Sequence, residues 1–136
     1  MEVSILNAKR AAERKLQVAF PSVATAYENV DFEPTEALHF ETQFLINPVT
    51  DPAFDAGYHR EDVQFQVFIS DRLGIGTANS LSYAHQIREA FKKGTTMIEA
   101  GTRIHVLSTP QISSCVKVSS RLVTVVLVPL TLEVYS

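Results

Sequence analysis

Cysteine is nearly absent from this chain. Cys115 stands alone among 136 residues, which excludes a disulfide within the chain and a multi-cysteine zinc site. A fold that holds in a reducing compartment is expected. Long apolar runs are missing too. The stretch from Val125 to Leu130 contains a proline and falls far short of the roughly 20 residues a membrane span needs. Met1-Glu2-Val3-Ser4 lacks the basic-then-apolar order of a signal peptide, so a soluble, non-secreted chain is expected. Charge of one sign is also scarce. With 12 basic against 15 acidic residues and a formal charge of −3, nothing pulls the whole molecule toward nucleic acid or anionic lipid. Neither a membrane partner nor sequence-specific nucleic-acid binding is expected.

Sequence patterns that carry chemistry are equally thin. Gly74-Ile75-Gly76 lies between a strand pattern and a helix pattern, but a dinucleotide fingerprint needs a third glycine where Asn79 stands, and no phosphate-binding lysine follows. The ordinary reading is a connector. His39, His59, His85 and His105 are scattered, with no pair at helical i, i+4 spacing to grip a metal. His39-Phe40-Glu41 fits the start of a zinc deaminase signature, yet the paired cysteines that chemistry requires are absent. Cys115 becomes a nucleophile only if a histidine and an acid converge on it. Ser113-Ser114 and Ser119-Ser120 read as turns. No catalytic residue, metal or cofactor is therefore expected, and function is sought in surfaces.

What the chain does have is pattern. It is 46% hydrophobic, and at this length a domain buries roughly two thirds of the surface its unfolded form exposes. Ile5, Ala8, Ala12, Leu16 and Ala19 recur at helical spacing behind Ser4 as N-cap, and Pro21 closes that helix. Lys9, Arg10, Arg14 and Lys15 lie mostly off the stripe as a solvated face. A short strand is read over Ala24 to Val30. Leu38, Phe40, Thr42, Phe44 and Ile46 alternate with His39, Glu41 and Gln43, as in a half-buried strand. Val63, Phe65, Val67 and Ile69 alternate with Gln64 and Gln66 in the same way, which suggests an antiparallel pair.

A second helix is predicted over Ala78 to Lys93, with Leu81, Ala84, Ile87, Arg88 and Phe91 at helical spacing, Thr77 as its cap and Gly94 as its left-handed stop. Thr95 to Glu99 and Thr102 to Leu107 flank Ala100-Gly101 as a hairpin. Ser119 to Tyr135 reads as a long central strand because Leu122 to Val128 is apolar on both faces, and Pro129 implies an edge, bulge or exit. The expected class is α+β: a mixed, largely antiparallel sheet with two helices packed on one face, in a single domain spanning residues 1–136. No repeat or low-complexity segment interrupts it.

Two surface features stand out. Asn47 to Arg60 is long for a connection, and segments of this length are usually functional or disordered. Its Phe54, Tyr58 and Arg60 are candidate partner contacts, since aromatics and arginine commonly anchor interfaces. Arg88, Lys92 and Lys93 form a basic end to the second helix; the ordinary reading is that they serve the negative end of that helix, and the sharper one makes them further candidate partner contacts, a positive cluster facing acidic partners or DNA.

Thr25-Ala26-Tyr27-Glu28-Asn29-Val30 with Phe32-x-Pro34, then Phe65-Gln66-Val67, then Ile87-Arg88-x-x-Phe91-x-x-Gly94-Thr95-Thr96, then Thr109-Pro110-Gln111-Ile112-Ser113 closely resembles a family of small phage-related proteins. That family is similar to the tail terminators of long-tailed phages, also described as minor tail or tail completion proteins, and the resemblance runs from about Ala24 to Tyr135. Where relatives run through Asp-Gly-Asp toward Val-Pro-Val, this chain has Val118-Ser119-Ser120-Arg121 and then Val126 to Pro129, so its turn geometry is expected to differ there. The resemblance implies a non-enzymatic virion protein. It would assemble as a closed homohexameric ring that caps the head-proximal end of the tail tube, stops addition of tube subunits and meets the head completion proteins of the neck. DNA would pass through such a ring, and assembly would take place in the host cytoplasm. Two other readings remain: a head completion or connector component, and a small enzyme that brings His59, His105 or Cys115 together with a carboxylate.

Overall fold

The computed structural model describes residues 4–27, 37–46 and 58–135. In chain order the elements are α1 (Ser4–Ala19), β1 (Thr25–Ala26), β2 (His39–Ile46), β3 (Tyr58–Arg72), α2 (Ala78–Ala90), β4 (Thr96–Glu99), β5 (Thr102–Val106), β6 (Gln111–Ile112), β7 (Val116–Val118) and β8 (Arg121–Tyr135). The strands form one sheet in the order β1-β2-β3-β8-β5-β4, and β6 and β7 also pair with β8. Among the described residues only the short β1–β2 pair is parallel; the other ladders are antiparallel. The α+β class and the mixed, mostly antiparallel sheet hold.

The axis of the sheet is the pairing of β3 with β8, in unbroken register from Tyr58↔Tyr135 to Arg72↔Arg121. Because side chains alternate along a strand, Val63, Phe65, Val67 and Ile69 share one face with Val126, Val128, Leu130 and Leu132, and all are buried. Both helices cover that face. Helix α1 approaches closely because its inward positions are small, Ala8, Ala11 and Ala12, with Leu16 filling the end. Asn7 also points inward, and its Nδ2 donates to Thr102 Oγ1 at 3.0 Å, which joins α1 to β5 across the core. Helix α2 presents Ser80, Ala84 and Ile87, and Phe91 follows just past its end. Phe65 sits between Phe91 and Phe44, with ring centroids at 5.8 and 6.5 Å. A second aromatic group joins Phe20, Phe40 and Tyr83.

Several expectations need correction. Ala19 is exposed, and Phe20, one residue beyond the helix, takes the buried place. Helix α2 stops at Ala90 rather than Lys93, and Leu81 is exposed, because Ser80, Ala84, Ile87 and Phe91 at 4-3-4 spacing track a single face more closely. Thr77 does not cap: its backbone is already α-like at φ −109, ψ −2 and its side chain makes no cap bond, whereas a capping residue needs an extended backbone. The hairpin β4–β5 forms as expected, and its turn residues Ala100 and Gly101 both take positive φ, the twist that suits a two-residue connection. Gly94 stops the segment after α2 at φ +88.

The alternation in β2 fails at both ends. Ile46 is exposed, and among the described residues β1 pairs only with Phe40 and Glu41 of β2. His39 is buried although it belongs to the wet face, because Arg121 of β8 reaches over it. A strand is predicted over Ala24 to Val30, but β1 covers only Thr25–Ala26 and leaves Ala24 and Tyr27 outside it, and residues 28–30 lie outside the described residues. Pro129 occupies a central strand, not an edge. Its carbonyl accepts from Leu107 N at 2.9 Å, so its missing N–H would face the same side, in the gap between the β5 and β6 pairings. No ladder bond is lost there.

Phe65→Asp should therefore unfold the domain, since it removes the ring between Phe44 and Phe91 and buries an unpaired charge, a loss of about 4 kcal/mol or more. Gln66→Ala, on the other face, should shift the melting temperature by only a degree or two. Thermal melts in the opposite order would mean that the faces are misassigned.

Candidate interaction surface

The sheet has a second face, and neither helix covers it. Glu41 and Gln43 of β2, Gln64, Gln66 and Phe68 of β3, and Val123, Val125, Leu127 and Pro129 of β8 share it by register. The side chains from Val123 to Pro129 that point this way are only half-buried. The apolar run that predicts a strand buried on both sides is thus buried on one. On the other it floors a cleft of about 470 Å³ with Phe68, walled by Val116 and Val118 of β7 and carrying Glu41 and Arg121 in its lining.

Arg121 organises one end of that cleft. Its Nε donates to Ser70 Oγ at 3.0 Å, and its Nη2 donates to the carbonyls of Ser70 at 3.0 Å and Ala37 at 2.9 Å. The planar guanidinium suits such divergent acceptors, which a single ammonium cannot match. His39 lies beside it, with Nδ1 at 3.4 Å from Nη2 and Nε2 at 3.4 Å from Glu41 Oε1. In the turn that leads into β8, Ser119 takes a positive φ of +55, within the stretch where relatives run through Asp-Gly-Asp.

The predicted contact residues are distributed unevenly. Phe54 lies outside the described residues. Tyr58 and Arg60 belong to β3, in backbone register with Tyr135 and Glu133, so the connection after β2 ends before Tyr58. The structure separates the basic trio. Arg88 Nε donates to Pro110 O at 3.1 Å, which ties α2 to the segment before β6. Lys92 and Lys93 are exposed in the turn beyond the helix, a turn held by Gly94 N donating to Val106 O and Thr95 N donating to Lys92 O, both at 3.1 Å.

Of the residues considered for catalysis, the side chain of His59 lies outside what is described, and His105 and Cys115 have neutral partners. His105 Nδ1 is 3.0 Å from Thr96 Oγ1, and Cys115 Sγ accepts from Thr124 Oγ1 at 2.9 Å. Neither contact supplies a general base or an orienting acid. Among the described residues, no three His, Cys, Asp or Glu side chains gather to hold a metal ion, and no helix is long and apolar enough to cross a membrane. Gly74 and Gly76 adopt φ of +83 and +84 with open space where a Cβ would stand, so they serve a turn. Burial pushes the Tyr27 phenol above its ordinary value, reinforced by Glu13 and opposed by the bond to Thr25.

The surface residues that sequence reasoning did not single out are Phe68, Val116, Val118 and Arg121. One signal was available for Phe68's neighbours: β8 is apolar on a face where β2 and β3 present glutamines. Arg121→Ala should lower the melting temperature by roughly 3–8 °C, because the Ser70 and Ala37 carbonyls lose a charged donor worth about 1–2 kcal/mol. Arg121→Lys should recover less than half of that loss, and full recovery would show that charge alone, not the fork, is what the site uses.

Comparison with known proteins gives one family and a fold. The family model described as phage tail terminator protein matches residues 5–129. One solved structure superposes with a TM-score of 0.77 at 18% identity, covering 100% of this chain and 99% of its own. Another, from the virion of a native gene transfer agent particle, gives 0.69 at 14% identity, with 98% and 99% covered. At these identities the likeness shows the fold. No curated protein matches the chain.

Proposed function

We propose a function on one premise: the chain belongs to the phage tail terminator family. As such it is a structural protein of the phage tail and of the virion. Our reading goes further. The protein forms a homohexameric ring on the head-proximal end of the tail tube, ends tube polymerisation there, and offers the opposite ring face to the head completion proteins of the neck, while the DNA passes through. Assembly takes place in the host cytoplasm, and no chemistry is performed.

The observation that carries this reading is the family match across residues 5–129, nearly the whole chain. The surfaces support it. A chain with an uncovered, partly apolar sheet face has more to offer to neighbouring subunits than to a small substrate. A closed ring uses a heterologous contact, one patch meeting a different patch on the next copy, and closure stops that contact from propagating as a filament. Termination follows from the polarity of the ring: one face matches the tube and the other does not.

The basic trio enters here in reduced form. With Arg88 bound to Pro110, Lys92 and Lys93 are the two exposed cations of that group. Repeated around a ring they would make a charged annulus facing acidic partners or the passing DNA, since like charges reinforce one another within a Debye length of about 10 Å. Phe54, Tyr58 and Arg60 remain proposed contacts of the neighbouring subunit or tube.

Purified tube protein polymerised with increasing amounts of this chain should give tubes that stop growing, read as a plateau in light scattering and a shorter length distribution. Growth unaffected at molar excess would remove the terminator role and favour a head completion component, which would bind filled heads instead. A Lys92→Glu, Lys93→Glu double substitution should leave the melting temperature within about 2 °C, as exposed substitutions do, and weaken head or tube joining. Unchanged joining would reduce these lysines to a solvated turn.

A further inference from the structure

Sheet edges are costly to leave bare, because each presents a row of unpaired N–H and C=O groups to any passing strand. Two such edges flank β8 on the side away from β3. Among the described residues, strand β4 ends the sheet and pairs only with β5, and β7 pairs only with β8. They are of similar length, Thr96–Glu99 and Val116–Val118. All three β7 residues are exposed.

Three of the five most exposed large hydrophobic side chains among the described residues, Ile98, Val116 and Val118, lie on these edges. Val18 is 75% exposed, Ile98 62%, Ile46 60%, Val116 54% and Val118 50%. Ile46 borders residues 47–57, outside the described chain. Val18 and Ile98 line one shallow groove between α1 and β4, and Val116 and Val118 wall the cleft on the naked face.

The faces agree. Ile98 pairs with Arg103, next to inward-pointing Ile104, so Ile98 lies on the naked face of the sheet. Val116 and Val118 pair with Val123 and Arg121, also on the naked face. If β7 of one copy lay along β4 of the next, Ile98 would stand beside Val116 and Val118 in one continuous apolar strip. On the helix side the same placement brings Lys117 of β7 toward Glu99 of β4, whose carboxylate is held by Arg14. Apolar meets apolar on one face, and opposite charges meet on the other.

We propose that the free edge of β7 in one copy pairs with the free edge of β4 in the next, so that the sheet continues from subunit to subunit. This names the subunit contact of the proposed ring and rests on that reading. The two edges differ from each other, so the contact joins unlike patches, the kind of contact from which a ring closes.

Cysteine cross-linking tests it in a Cys115→Ser background. Ile98→Cys and either Val116→Cys or Val118→Cys, mixed and oxidised, should form a disulfide dimer in about tenfold excess over that from any variant alone, because neighbouring strands bring opposed Cβ atoms to roughly 5 Å. All three positions are exposed, so circular dichroism melts should match the parent. Adding Lys117→Glu to the β7 variant should slow cross-linking by about threefold, the worth of one exposed ion pair. A chain carrying both Ile98→Cys and Val118→Cys should give a ladder that ends at six. Dimers from single variants as abundant as from the mixture, or no mixed dimer with either β7 position, would overturn the edge contact. A ladder that runs on past six would leave the edge contact standing and refute the ring, whereas rings without mixed dimers would do the reverse.

Discussion

Everything in this domain hangs on the ladder between β3 and β8. It runs for the full 15 residues of each strand, roughly 50 Å at strand rise, and each remaining element borrows an edge or a face from it, β1 and β4 by way of β2 and β5. Strand β2 takes the free edge of β3. Strands β5, β6 and β7 divide the free edge of β8 among them. The helices take the face on which Val63, Phe65, Val67 and Ile69 meet Val126, Val128, Leu130 and Leu132. A register slip of one residue would turn that set outward and leave α1 and α2 nothing to cover.

Sharing one long edge among three short strands has a structural cost that bears on function. Short strands cannot cap one another, so among the described residues β4 and β7 each keep an unpaired side. The helices are both spent on one face, so the other keeps Phe68, Val123, Val125 and Leu127 half-covered. In a protein built to stay alone these would be liabilities. In a subunit of an assembly such surfaces can serve for joining, which is the role proposed for them above.

The sequence was legible where a local rule and the tertiary fold agreed. Alternation in Val63 to Ile69 and the turn chemistry of Ala100-Gly101 both point to the observed elements, because burial on one face and positive φ are properties of a few neighbouring residues. Errors came where distant residues decide. His39 looks solvent-facing until Arg121 arrives from the other end of the chain. Thr77 has the chemistry of a cap but not the backbone. Leu122 to Val128 reads as doubly buried, since composition alone does not distinguish a face covered by helices from one kept apolar for another molecule. The candidate surface was less legible still. Arg88 looked like a free cation until Pro110 was placed beside it, and the edge residues Ile98, Val116 and Val118 fall in segments too short to show a pattern.

The central claim is that copies of this chain close into a polar ring on one end of the tail tube. Electron microscopy of tubes incubated with the protein, averaged separately at each end and viewed along the axis, tests it most directly. The account predicts extra density with six-fold symmetry at one end only, in register with the tube. Density at both ends, along the walls, or at neither end would contradict it.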